Sequence, residues 1–270
     1  MIVIAILAGT LGSVIGSFLN VVIFRVPAGR SIVAPPSACG SCGHEIRARD
    51  NVPVLSWLLL RGKCRDCAAP ISIRYPLVEA ATALLFVAVA LRFPLSFETG
   101  ADAASTLLTL IAFAYLASVS IALAMIDIDT RTLPNRIVLP AYLVGAALLV
   151  ASSWTAGDFG ELGRAAIGML GLGALYLVLA LATGGMGLGD VKLAGVLGLF
   201  LGWLGWDVLV VGALAGFILG GLWAVVLIVT RRARRGSSVP FGPWMLAGAW
   251  LAIFGGSWIA QSYLGLAGIH

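Results

Sequence analysis

Histidine, cysteine and charge are all scarce in this 270-residue chain, and each shortage removes a class of function. The two histidines, His44 and His270, form no HExxH zinc-protease helix and offer no convincing partner for a Ser or Cys nucleophile. The four cysteines all lie between positions 39 and 67, which excludes a disulfide scaffold spread through the chain. Charged residues make up 11% against 60% apolar, with a mean hydropathy of +1.05, and a water-soluble globule cannot hide that much apolar surface. The 34 glycines show no three-residue period, so a collagen-like fibre is excluded, and the apolar content excludes disorder. A net charge of +5 suggests nucleic acid only until the charges are located. They point to a membrane, and no nucleic-acid partner is expected.

What is present in quantity is apolar helix. A helix needs about 20 apolar residues to cross the ~30 Å hydrocarbon layer. About eight such runs occur, at 2–24, 77–97, 103–126, 137–155, 165–183, 191–206, 208–230 and 244–265. The sixth is short, and its boundary with the seventh falls at Trp206 and Asp207. The first run lacks a charged leading region and a small-residue cleavage site, so it reads as a retained helix rather than a signal peptide. Backbone groups in lipid must bond within their own segment, so the expected fold is an all-α integral membrane protein of about eight transmembrane helices.

Lys and Arg accumulate on the cytoplasmic side of a membrane. Fifteen of the 17 fall in one alternating set of loops: eight in 25–76, Arg131 and Arg136 in 127–136, Lys192 beside Asp190, and Arg231, Arg232, Arg234 and Arg235 in 231–243. The opposite set has Arg92 and Arg164, beside Glu98, Asp102, Asp158, Glu161 and Asp207. This bias puts both termini outside and the 25–76 loop inside. The segment 231–238 reads as a basic anchor on anionic lipid.

The cysteines form two CxxC knuckles, Cys39-Gly-Ser-Cys42 and Cys64-Arg-Asp-Cys67, separated by 21 residues. Four thiolates at this spacing suit a tetrahedral zinc ion, with Gly40, Gly43 and Gly62 available for the bends. Such a site is structural, because no position is left open for water, and it steadies a loop too small for its own core. A pair of disulfides and a thioredoxin-like redox pair are the competing readings. The reducing cytoplasmic side argues against the first, and the missing βαβ setting against the second. His44 is expected at the surface and not as a ligand.

Ionisable groups at the edge of a span are costly and mark function. Asp127 and Asp129 follow directly on 118–126, and Asp190 sits in the glycine-rich stretch 184–192. Two carboxylates about 3 Å apart cannot both ionise, so one holds a proton while the other takes one from a water that attacks a peptide carbonyl. Asp127 and Asp129 lie on roughly opposite helix faces, so one of them should meet Asp190. Helix capping, or pairing with Arg131 or Lys192, is the alternative for these carboxylates.

Gly187-Leu-Gly-Asp190 followed by Val191-Lys192-Leu193 resembles the GxGDxKL signature of prepilin leader peptidases. The stretch from Asp127 to Pro134-Asn135 resembles that family's second signature, an Asp, six residues, then Pro-Asp or Pro-Asn, and its spacing selects Asp127 over Asp129. Residues 12–27, the cysteine loop 39–67 with its flanks 51–57 and 74–79, and 240–243 resemble further parts of the family. The resemblance implies a bacterial inner-membrane aspartyl peptidase with catalytic Asp127 and Asp190. Gly187, Gly189, Lys192, Pro134 and Asn135 would support the motifs, and Met186, Gly187, Leu188 and Gly189 would line the approach. It implies prepilin and pseudopilin substrates reached from the bilayer, amid membrane lipid. It also implies N-methylation of the new N-terminus with S-adenosylmethionine as donor, which nothing in composition or spacing shows. Arg47-Ala-Arg-Asp50 stands where the family commonly has an aromatic pair, a departure that bears on methylation.

The expected organisation is a first transmembrane helix at 1–24, a four-cysteine zinc loop at 25–76 with ligands Cys39, Cys42, Cys64 and Cys67, and a seven-helix peptidase domain at 77–270. A small transporter using the Asp residues as an ion or proton relay would explain the acids but not the knuckles or the Pro134-Asn135 spacing. A membrane-anchored zinc module that binds partners through 25–76 is the third reading.

Overall fold

A computed structural model describes residues 2–95, 100–231 and 240–267. Glu98, the loop arginines 232, 234 and 235, and His270 lie outside the described residues. The described chain is helical: α1 (Ile2–Arg25), α2 (Leu55–Leu59), α3 (Arg74–Arg92), α4 (Gly100–Thr130), α5 (Asn135–Ala156), α6 (Gly160–Thr183), α7 (Leu188–Leu204), α8 (Trp206–Val229) and α9 (Gly242–Leu266). Seven of these are long and apolar enough to cross a membrane. Their outward faces carry large apolar residues such as Ile6, Leu84, Leu143, Leu181, Val225 and Trp258, as a lipid solvent demands. The protein is a multi-pass helical membrane protein.

The eighth long helix, α7, has 17 residues and does not reach that length. Every residue from Leu193 to Trp203 is buried, because α5, α6, α8 and α9 all pack against it. It ends at Gly205, whose φ of 157° and ψ of 163° belong to a region that is essentially glycine's alone, so α8 starts at Trp206. That break resolves the boundary expected at Trp206 and Asp207.

Other ends move for identifiable reasons. α3 stops at Arg92 instead of 97, because Pro94 lacks an N–H and drives Phe93 out of helical geometry (φ −119°, ψ 72°). α4 continues four residues past 126, and Thr130 Oγ1 donates to the Ile126 carbonyl at 2.9 Å. Asp127 and Asp129 are therefore helical residues. α6 begins at Gly160, five residues before the apolar run, where the Asp158 carboxylate accepts the Gly160 N–H at 2.9 Å.

The chain divides into two compact units. The first, Met1–Leu95 with Phe113–Ala122, pairs α1 with α3 and carries the cysteine module. Small residues let the two helices approach closely: a Cβ on Gly16 would stand 2.7 Å from the Glu79 Cα. The second, Ser96–Ala112 with Leu123–His270, is organised around α7. At one end of it, Ser153 takes a hydrogen bond from Trp203 Nε1 (3.0 Å) and donates to Glu161 (3.2 Å), joining α5, α6 and α7 by buried polar contacts.

Candidate active site and four-thiol module

The second unit contains a cavity of about 700 Å³ lined by Asp127, Arg131, Leu133, Asn135, Met186, Gly187, Gly189, Asp190, Lys192, Pro240 and Phe241, among others. It brings both signature motifs to one place. Asp127 is 5% exposed, whereas Asp129 is exposed. Two residues turn ~200° around a helix, so only one of the pair can face the cavity. Pro134 does not line it but precedes α5 with φ −63° and ψ 129°, which turns the chain so that Asn135 opens the helix. Lys192 Nζ then reaches Asn135 Oδ1 at 3.0 Å, tying the second motif to the first. Leu188, expected beside Met186, is not in the lining and is 63% exposed. Two residues turn about 200° around α7, which puts it on the face away from Asp190.

Each of the two acids is held at the start of a helix. Asp190 is in the first turn of α7, and its Oδ2 accepts the Gly187 N–H at 3.3 Å. Asp127 Oδ2 accepts the N–H of Gly242, the first residue of α9, at 3.0 Å. Helix N-termini present unpaired N–H groups, so each carboxylate has one oxygen fixed by a backbone donor. The second contact joins residues 115 positions apart.

The residues that fix Gly242 were not among the expected site residues. Phe241 is clasped by Tyr176 and Phe217, with ring centroids 6.3 and 5.5 Å away, and a Cβ on Gly220 would strike its ring at 2.7 Å. Leu133 packs between the starts of α7 and α9, within reach of a Cβ on Gly189 (3.1 Å) or Gly242 (3.4 Å). Pro240 to Pro243 carried the only sequence signal. A Cβ on Gly242 would stand 2.9 Å from Asp127 Oδ2. Gly242→Ala should therefore displace that carboxylate and slow any turnover in this cavity by roughly 10²-fold while the protein stays inserted, checked by initial rates at matched folded protein.

In the first unit the two knuckles repeat one geometry. Cys39 N–H bonds the His44 carbonyl (2.9 Å) and Gly43 N–H the Cys39 carbonyl (2.9 Å). In the second knuckle, Cys64 N–H bonds Ala69 (2.8 Å) and Ala68 N–H bonds Cys64 (3.0 Å). All four Sγ atoms lie within 4.8 Å of one another, and Cys39 Sγ to Cys67 Sγ is 3.8 Å. A tetrahedron with 2.3 Å metal–sulfur bonds has an edge of about 3.8 Å. The four thiols are unbonded to one another and could hold a metal ion. Backbone N–H groups of Cys42 and Ser41 lower the Cys39 thiol to about 6, while Cys67, despite the Ala69 N–H, is pushed up to about 12 by burial and the neighbouring thiols. His44 is exposed and stands outside the cluster.

The segment Arg47 to Asp50 crosses to the second knuckle. Asp50 takes a forked bond from Arg65 (2.6 and 2.9 Å), and Arg47 meets Asp66 at 2.9 Å. Charged residues in place of an aromatic pair thus brace the module. Hydrogen bonds from Arg65 hold the Asp50 carboxyl below its usual range, so this bracing is present above that range and lost as pH falls through the lowered value. Gly43 and Gly62 both have φ near +70° (73° and 67°), but a Cβ on Gly62 would also stand 2.9 Å from the Trp57 ring. Gly62→Ala should cost the module more than Gly43→Ala, which carries only the left-handed cost of about 1–2 kcal/mol. Metal retention during a thermal melt tests this order.

Fold and site together define a multi-pass helical membrane protein with a two-aspartate cavity and a separate four-thiol module. The Bacterial Peptidase A24 N-terminal domain matches residues 10–93, and the Type IV leader peptidase family matches residues 114–225. Relatives named prepilin leader peptidase/N-methyltransferase include one from Stutzerimonas stutzeri, 37% identical over 95% of this chain and 92% of its own, and one from Pseudomonas aeruginosa, 37% identical over 96% and 92%. A third, from Aeromonas hydrophila, is 39% identical over 93% and 90%. No solved structure matches. The chain belongs to the type IV leader peptidase family.

Proposed function

We propose that this protein removes the basic leader from prepilins and pseudopilins with Asp127 and Asp190 as its catalytic pair, and then methylates the new N-terminus. The observation that carries the reading is one cavity faced by both acids, each fastened through Oδ2 to a helix N-terminal N–H. Both anchors fix the carboxylates in direction, which leaves the opposite oxygens to manage a water. One acid holds a proton and gives it to the departing amine. The other, ionised, takes a proton from the water as its oxygen attacks the scissile carbonyl. Lys192 and Asn135 set the rim, and glycines 187 and 189 admit an extended substrate backbone. Family membership sets the ion-relay reading aside.

The cleavage machinery belongs to the segment 77–270 and the metal to 25–76. The ion is zinc, because four thiolates with a 3.8 Å edge suit a closed tetrahedral site, and its role is to fold the loop. S-adenosylmethionine supplies the methyl group when bound, a reading supported by the relatives' names. The distribution of Lys and Arg supports an inner-membrane protein with the cavity and the 25–76 loop on the cytoplasmic side, both termini outside, lipid around the apolar faces and no role for nucleic acid. A prepilin has an apolar helix behind its leader, so the bilayer fixes the depth of the bond to be cut. Incubating the purified chain with a prepilin and labelled S-adenosylmethionine, then weighing the new N-terminus, tests both activities. Cleaved and methylated product is expected, and an uncut prepilin would overturn the reading.

A further inference from the structure

A second cavity, of about 1100 Å³, opens in the first unit and shares no lining residue with the first. Glu79 of α3 lies in its wall, 8% exposed. A carboxylate so little exposed is costly unless donors or cations meet it. The Val54 N–H donates to Oε2 at 2.7 Å. A carboxylate can accept about four such bonds, so this one contact leaves capacity for a ligand.

The Val54 contact is made at a conformational cost. Leu55 N–H bonds the Pro53 carbonyl at 2.6 Å, closing a γ-turn centred on Val54 at φ 60° and ψ −50°. This is the rare, strained form of that turn, and a β-branched residue there is an outlier costing on the order of 1–3 kcal/mol. Backbone strain of this kind persists where the surroundings demand it, and here it aims an N–H at a buried acid. Trp57 lines the same cavity, its ring fixed by Nε1–H to the Ile71 carbonyl at 3.0 Å, and Tyr75 also lines the cavity. The wall also carries four arginines, but Arg47 and Arg65 are paired with Asp66 and Asp50, Arg25 donates to the Ser31 and Pro35 carbonyls and Arg30 lies over the Phe24 ring, so Glu79 and the aromatic side chains are left to meet a cationic ligand. Both partners of an amine methylation are cations, an ammonium and a sulfonium, so the residues fit the donor and the acceptor alike.

We propose that Glu79 binds the α-ammonium group of the leader-free pilin at a methyl-transfer site in this cavity, with Trp57 facing the cationic donor. This rests on the bifunctional reading above. Glu79 takes one proton from the ammonium. The freed nitrogen lone pair forms the N–CH3 bond as the donor's C–S bond breaks, its electron pair passing to the departing sulfur, and the product leaves as a secondary ammonium.

The test uses the full, metal-loaded chain in detergent and its Glu79→Gln variant, whose amide oxygen still accepts the Val54 N–H while the charge is gone. Peptides with the mature pilin N-terminus, either free or N-acetylated, are compared by fluorescence anisotropy. The parental chain should bind the free amine at least about tenfold more tightly, and Glu79→Gln should lose that preference. Methyl transfer should fall about 10²-fold or more in the variant, with leader removal within about twofold and metal content unchanged. Full methyl transfer, or an unchanged preference for the free amine, in Glu79→Gln overturns the proposal. Should the parental chain cleave but never methylate, the bifunctional reading fails, and the amine preference alone then decides the role of Glu79.

Discussion

Asp127→Asn and Asp190→Asn should each bring leader removal to background, a loss of about 10³-fold or more, while Asp129→Asn should stay within about twofold. The asymmetry follows from geometry. Asp127 is buried and held by Gly242, Asp190 is held by Gly187 on the same cavity, and Asp129 points the other way from the same helix. Asparagine preserves volume and can still accept the anchoring N–H through its carbonyl oxygen, so the loss reports on proton transfer rather than on collapse of the site. Initial rates with a full-length prepilin in detergent, at equal amounts of folded protein, provide the measurement. Parental rates in either Asn variant would mean that the acids do not act as a pair, and background rates in Asp129→Asn would mean that the wrong face of α4 has been chosen.

Removing the proposed metal should have the second large effect, confined to the other unit. Apparent binding free energies for structural four-ligand zinc are roughly 10–16 kcal/mol, far more than a loop of this size gains from its own packing. Cys64→Ser, or a strong chelator, should therefore unfold the 25–76 loop, seen as new protease cleavage within it and loss of bound metal. Methyl transfer should fall to background, since Val54 and Trp57 are positioned by that loop. Leader removal should survive, because every residue lining the two-aspartate cavity comes from the second unit. Loss of leader removal in Cys64→Ser, with the protein still inserted, would contradict this division.

The reading of residues went furthest where a property is local. Apolar runs located the long helices, since a span is defined by the composition of consecutive residues. The CxxC repeats located four thiols that do gather within 4.8 Å, since each tight turn fixes two sulfurs by itself. The two-residue offset put Asp127 and Asp129 on opposite faces of α4, while the choice between them came from the spacing of the family signature and not from periodicity. The apolar runs were carried past Pro94 and Gly205, where α3 and α7 end, because helix ends in apolar sequence shift by several residues when hydropathy alone sets them.

Composition and spacing by themselves determined that this chain is helical, lies in a membrane, carries a four-thiol cluster and holds acids at the edges of its spans. Only the tertiary structure decided that Gly242 holds Asp127, that Lys192 holds Asn135, that Arg65 braces Asp50, and that Glu79 faces a strained Val54. In each case the partner is distant in sequence, from 15 to 115 positions away, so no periodicity or short motif encodes the contact. Such contacts arise when helices pack and carry their ends together, and the free energy that selects them belongs to the packed helices rather than to any single segment.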